Sequence, residues 1–302
     1  MSDSIHILLQ TTIPGTSDDW HVGRFSLLRR HLAALVGEGG VPAFRVNARD
    51  RAEIGFPDPV LSRLDSSSYD ELWLFAVDVG NGLTPDDIDG IERFRQKGGG
   101  LLVARDHMDL GCSVCGLTGI GPANFFHSHN PEPDPSRHTR DDREATEILW
   151  PNYHSGANGD FQEIEIEGAL HPALVDPLAP EGHIRFLPSH PHEGAVGAPG
   201  GDPKARVIAK GKSKATGRQF NIAVAFEASD HYGRALAQST FHHFADSNWD
   251  PGMGCPSFVS EAFGSGIASS PEARRSIRQY VTNLAYWLAG RALDGRNFGQ
   301  RV

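Results

Sequence analysis

The feature that most constrains this chain is the alternation, within its first hundred residues, of short uninterrupted apolar runs with segments of helical period. Ile5 to Gln10 is a strand-length run, and Phe25, Leu28, His31, Leu32 and Leu35 recur after it at helical spacing. Val41 to Val46 and Glu71 to Val77 read as second and third strands, and Leu101 to Ala104 as a fourth. Between the last two, Thr84-Pro85-Asp86-Asp87 opens a helix: a hydroxyl N-cap, proline at the first helical position, and acids where the dipole favours them. Ile88, Ile91 and Phe94 face the core from that helix, which stops at Gly98-Gly99-Gly100. Strands without polar alternation need cover on both faces, and short strand-helix-strand connections supply it. The expected fold is therefore α/β, a flavodoxin-like doubly wound, mainly parallel sheet. It is expected to form one domain over residues 1–302, with a long irregular insertion at about 105–160 after the fourth strand.

The insertion is rich in Gly, Pro, Asn and His and contains one short helical pattern, Asp141 to Leu149. Phe161 to Ile166 alternates like a strand. Arg206 to Lys210 and Phe220 to Phe226 bracket a basic turn, Gly211 to Arg218, which has neither P-loop spacing nor a following helix and reads as solvated. Arg234 to Thr240 is the last core strand. Ser270-Pro271-Glu272 starts a closing helix whose Ile277, Val281, Leu284 and Leu288 form one face up to Gly290.

A formal charge of -10 and a pI near 5.8 disfavour the concentrated basic face that nucleic acid or an anionic membrane requires. No apolar run approaches the roughly 20 residues of a membrane helix. The start, MSDSIHILLQ, has no basic n-region and fits a first strand better than a signal peptide. Three cysteines suit a reducing cytoplasm. A small-molecule partner is expected, and the sequence leaves open whether the chain forms a homo-oligomer.

Open α/β sheets bind ligands beyond the carboxyl ends of their strands. The loops there carry Asp19, Trp20 and His21 after the first strand and Asp78 after the third. Asp106, His107, Cys112, His127 and His129 follow the fourth, and His242, His243 and Asp246 the last. One polar pocket accounts for this grouping. His107 is placed to act as general acid or base with Asp106 beside it, although neighbours on an extended chain point apart. His242 or His243, with Asp246, is placed to polarise a substrate oxygen, while Asp19, Trp20, His21, Asp78 and His127 line a substrate site.

Cys112-Ser113-Val114-Cys115 has CxxC spacing, but Cys255 is the only other cysteine, so a zinc site would have to borrow His127 or His129. Cys112 also comes about eight residues after Ala104, too late for a nucleophile on a strand-to-helix elbow. Packing thiols are the simpler reading. His127-Ser128-His129 puts two imidazoles on one side of an extended segment. With His192 and Glu193 of His190-Pro191-His192-Glu193 they make a candidate set for a divalent metal, zinc by ligand type.

Several motifs in order resemble the ThuA-like (trehalose utilisation) family of the class I glutamine amidotransferase-like superfamily. They are Tyr69 to Phe75, Leu83-Thr84 opening a helix, Gly98 to Val103 leading to His107, Gly121-Pro122-Ala123-Asn124-Phe125-Phe126-His127, His171-Pro172-Ala173-Leu174, Gly233 to Ser239 and Asn283 to Gly290. The resemblance implies a flavodoxin-like fold without the amidotransferase cysteine nucleophile, and a role in carbohydrate metabolism on oxidised or keto sugars. This sequence departs from the family pattern in its insertion from Asp106 to Asp160 and at His190 to Glu193.

The functional expectation is an enzyme acting on a sugar-like or keto-sugar substrate by His/carboxylate acid-base chemistry, a hydrolase, lyase or isomerase. Two alternatives stand beside it: a metal-dependent hydrolase using a His cluster, and a non-catalytic sugar-binding module.

Overall fold

The computed structural model describes residues 4–142 and 145–291. Its first half follows the expected alternation: β1 (Ile5–Thr11), α1 (Ser26–Ala34), β2 (Phe44–Arg49), β3 (Glu71–Phe75), α2 (Pro85–Gln96) and β4 (Gly100–Ala104). β2 begins three residues later than its apolar run. Pro42 has no N–H to give a ladder and instead bridges Val36, so pairing starts at Phe44. At the start of α2, the Thr84 hydroxyl accepts from the Asp87 N–H while the Asp87 carboxylate accepts from the Thr84 N–H at 2.9 Å, a reciprocal cap that fixes the helix entry.

The middle of the chain holds short strands: β5 (Asn124–Phe125), β6 (Phe161–Glu163), β7 (Glu165–Ile166), β8 (Phe186–Pro188) and β9 (Ala195–Val196). β5 pairs with β9 and β6 with β8. The single strand expected over 161–166 is thus two, because at Ile164 the backbone turns its N–H to Arg185 and β7 leaves to join the main sheet. The helix expected at Asp141 to Leu149 is turn and coil in its described residues. The Asp142 carboxylate takes the Ala145 N–H as a helix cap would, but the Asp141 N–H goes to the Asn152 carbonyl beside the Arg140–Asn152 bridge, and this longer-range backbone pairing stands in place of helical bonds.

The expected hairpin is β10 (Ala205–Lys212) with β11 (Gln219–Phe226), followed by β12 (Ala235–Gln238), the short α3 (Asp246–Trp249) and α4 (Gly266–Ser269), and α5 (Pro271–Leu288) capped by Ser270. The main sheet runs β2-β1-β3-β4-β12-β11-β10-β7. Its first five strands are mutually parallel, in the flavodoxin-like order, and the last three extend it antiparallel.

Successive residues of the parallel strands serve opposite faces. Ile5, Ile7 and Leu9 of β1, with Trp73 and Phe75 of β3, pack against Phe25, Leu28 and Leu32 near α1 and Tyr280, Val281, Leu284 and Leu288 of α5. Leu8, Leu72, Leu74, Leu101 and Val103 pack on the other side against Ile91 and Phe94 of α2. No described helix is long and apolar enough to cross a membrane.

The β4–β12 pairing positions the site. Ala104 is in register with Gln238, so both chains leave the sheet side by side at their carboxyl ends. The Phe241 N–H bonds the Arg105 carbonyl at 2.8 Å, and the Thr240 hydroxyl donates to Asp106 Oδ1 at 3.0 Å.

Candidate functional site

Asp106, the second residue past β4, is 2% exposed and is the hub of the site. Its Oδ2 lies 3.0 Å from His107 Nδ1 and 3.7 Å from His242 Nε2, and its Oδ1 lies 3.3 Å from His190 Nε2. Contact between Asp106 and His107 departs from the expectation that neighbours point apart, because the backbone bends as it leaves the strand. Burial pushes the Asp106 carboxyl up, but the facing imidazoles, His107 first and then His190, hold it well below the ordinary carboxylate range when they carry a proton.

Two asparagines decide how the buried imidazoles are presented. Asn248 Nδ2 reaches two acceptors, Asn158 Oδ1 at 2.9 Å and the Ser189 carbonyl at 3.0 Å. Its Oδ1 is therefore the atom that faces His242 Nδ1 at 3.1 Å, and His242 must be the donor there. Asn158 Oδ1 in turn accepts from His190 Nδ1 at 2.9 Å. Both rings thus carry their proton on Nδ1 and turn a bare Nε2 lone pair toward the Asp106 carboxylate. His190 Nε2 is buried without a hydrogen-bond partner.

Lone pairs aimed at an anion repel it unless protons or a cation intervene. Protons are disfavoured: burial takes His190 down to about 4, against the pull of Asp106, and drives His242 well below the ordinary imidazole range. Asp106, His190 and His242 offer ligand atoms that all lie within 4.8 Å of one another, and this buried group is able to bind a metal ion. One carboxylate and two imidazoles, each imidazole held at its far nitrogen by an oxygen acceptor, match the donor set and supporting bonds of catalytic zinc or iron sites.

The group opens on a cavity of about 520 Å³ also lined by Trp20, His107, Leu110, Glu147, Phe258 and Glu261. His107 is 18% exposed there. His192 packs edge-on against His107, ring centroids 5.3 Å apart, with Nδ1 2.8 Å from Asp142 and Nε2 2.9 Å from Glu261. The bond from His192, more than the burial that opposes it, pulls the Glu261 carboxyl down to about 2. Gly194 lets this histidine-bearing loop sit against β4: a Cβ there would overlap the Arg105 guanidinium and the Asp106 carbonyl.

Of the sequence candidates, the structure brings Asp106, His107, His242, Trp20 and His192 to this cavity. The others lie elsewhere. His243 turns away to Gln238, Gln162 and Glu193 beneath the loop. Asp246 does not orient either histidine; it caps α1, accepting from Ser26 N, Ser26 Oγ and Leu27 N. Asp19 accepts from the Trp20 N–H and His21 caps the turn before α1, so both serve their own loop, while Asp78 accepts from Gly80 N and Ser113 Oγ and ties the loop after β3 to the turn that carries the cysteines. The metal set His127, His129, His192 and Glu193 is not assembled. His127 and His129 are exposed, His129 pairs with Asp109, and Glu193 is buried with Ser155, Gln162 and Ser239.

Cys112 and Cys115 lie on a short 3-10 turn, Cys112 within the α2-side core, and burial raises both thiols to about 11. Neither belongs to the cavity. Sequence reasoning singled out the His190-Pro191-His192-Glu193 run but not the partnership of His190 with Asp106. Asn158, Asn248 and Glu261 carried no local signal at all.

No protein-family model and no curated protein sequence matches the chain. Among solved structures it is similar to a ThuA-like protein from Parabacteroides merdae, at 14% identity over 97% of this chain and 92% of that one, with a TM-score of 0.51. The glutaminase domain of a Trypanosoma brucei CTP synthase aligns at 14% identity over 96% of each chain, with a TM-score of 0.43. The carbohydrate deacetylase Agd3 aligns at 12% identity over 78% of this chain and 29% of that one, with a TM-score of 0.38. The likeness to the first of these, together with the strand order, shows that this chain has a flavodoxin-like fold of the kind seen in that ThuA-like protein.

Proposed function

We propose that the chain is a metal-dependent hydrolase of small, polyhydroxylated, sugar-like molecules, with Asp106, His190 and His242 as the metal ligands. The observation that carries this reading is the convergence of two Nε2 lone pairs, fixed by Asn158 and Asn248, on the buried Asp106 carboxylate. A divalent ion in that position supplies Lewis acidity and acidifies a water molecule. The remaining chemistry belongs to the chain. His107, anchored through Nδ1 on Asp106, presents its outer ring edge to the cavity, where it can pass a proton to a leaving group. His192 and Glu261 continue the wall beside His107, while Glu147 and Ser260 offer partners for hydroxyls and Phe258 an apolar face for a sugar ring.

The Asp106–His107 contact of 3.0 Å also supports a second reading, proton transfer by this dyad without metal. Elemental analysis of the purified chain, with turnover measured on sugar esters, N-acetyl sugars, sugar lactones and keto-glycosides, separates the two. The hydrolase reading expects about one equivalent of zinc, manganese or iron, and activity lost on chelation and restored by metal. Full turnover in metal-free protein overturns it in favour of the dyad. Sugar binding with neither metal nor turnover overturns both and leaves a binding module.

A further inference from the structure

Away from the Asp106 cavity, a second concavity of about 470 Å³ lies where α1, α3, α4 and α5 meet. Arg30 enters it from α1, and Arg274 and Arg278, one turn apart on one face, from α5. Leu27, Trp249, Ile267 and Ile277 supply apolar wall. None of the three guanidiniums is paired with a carboxylate among the described residues. Arg30 donates to the Ser26 carbonyl and hydroxyl, Arg274 donates to the Ile267 and Ala268 carbonyls, and the Arg278 side chain has no hydrogen bond among the described residues. The one acid on the wall, Asp250, spends its carboxylate on the Gly252 N–H. Arg278 is also close enough to oppose protonation of His31, which burial and that charge together take down to about 4.

Three unpaired cations facing one hollow, in a chain of formal charge -10, repel one another and attract an anion. The forked donors of arginine suit phosphate or carboxylate oxygens, and the tryptophan and isoleucines suit an apolar body. We infer that this hollow binds a small organic anion, a phosphate monoester or a carboxylate carrying an apolar or aromatic group. The site is distinct from the Asp106 cavity and nevertheless touches its supports. Trp249 Nε1 donates to the His243 carbonyl at 2.9 Å, and its neighbour Asn248 holds His242.

The test is isothermal titration of the full chain with phenyl phosphate, and with phenol and inorganic phosphate as partial probes, at low ionic strength. Arg30 and Arg278 are exposed, and the Arg30 side chain bonds only within α1, so Arg30→Gln/Arg278→Gln is expected to leave the fold intact, which thermal denaturation verifies. Expected results are saturable binding of phenyl phosphate, weakened at least roughly tenfold in the double variant, partly restored by Arg278→Lys, and unchanged in Asp106→Asn. Absence of binding up to about 10 mM, equal affinity in the double variant, or loss of binding in Asp106→Asn alone would each overturn the assignment.

Discussion

Asn158→Ala tests the architecture of the centre more sharply than removing a ligand does, because Asn158 touches no metal position. Its Oδ1 accepts from His190 Nδ1 at 2.9 Å and from Asn248 Nδ2 at 2.9 Å, and Asn248 in turn fixes His242. Truncation thus releases one imidazole directly and loosens the other at one remove. Loss of such outer bonds costs about 10- to 100-fold in metal affinity, or about 1.4 to 2.7 kcal/mol. Two buried donors are also stranded, each at about 1–3 kcal/mol of stability, so the melting temperature falls as well. Asn158→Asp separates the two effects, because a carboxylate still accepts both N–H groups; its affinity should stay within a few-fold of the parent. The assay is competition for Co(II) or Zn(II) against a chromophoric chelator, made well below the melting point of each variant. Equal affinity in the parent and Asn158→Ala, both folded, would refute the claim that these amides set the two Nε2 atoms.

Glu261→Gln should leave metal content unchanged while lowering kcat, since it weakens the 2.9 Å hold on His192 at the cavity wall but touches no ligand; metal loss would contradict that placement. Gly194→Ala should lower stability and metal content together, by about 1–3 kcal/mol of overpacking, because the new methyl meets Arg105 and the Asp106 backbone; a silent substitution in a melting experiment would argue against the close approach. Cys112→Ser should leave turnover unaltered, and Cys112 should resist iodoacetamide at pH 8, since burial raises its thiol to about 11. Asp58, buried and pushed up by that burial, is brought down to about 2 by the Arg49 ion pair and the N–H groups of Leu61, Ala52 and Val60. A depressed carboxyl stabilises above its unfolded value and loses that contribution as pH falls through the folded one. About 2 kcal/mol should therefore be present above pH about 5 and vanish between about 4 and 2, and Asp58→Asn should flatten that stretch of the stability-pH curve.

The parallel half of the fold is legible because its signals are local. Apolar runs, the Thr84-Pro85 start and the Ser270-Pro271 start each fix an element from a few adjacent residues. Elements set by distant bonds are not legible: the split at Ile164 depends on Arg185, and the missing helix near Asp142 on Asn152. The site divides in the same way. Asp106, His107 and His242 follow strand ends, so topology alone places them together. His190 and His192 share one side of their loop, yet nothing nearby tells that His190 meets Asp106, that His192 meets Glu261, or that Glu193 turns inward to Ser155 and Ser239. Asn158 and Asn248 are separated by 90 residues, and only the finished structure gives either a role.

The register of β4 on β12 carries a consequence for how the molecule comes into being. Asp106 stands on one of those strands' loops, His242 on the other, and His190 on a segment between them, so no short stretch of chain can chelate by itself. A ribosome-bound chain that has emerged only as far as β11 holds the carboxylate and one imidazole but neither the second imidazole nor the asparagine that aims it. Capture of a metal by this group would then be a late event, closed by the long-range zipping of the last parallel strand, which is the slow kind of contact. Because the ion would select the completed sheet over every partly folded form, its binding energy would be spread over the whole fold, and starvation for metal would show first as sluggish maturation.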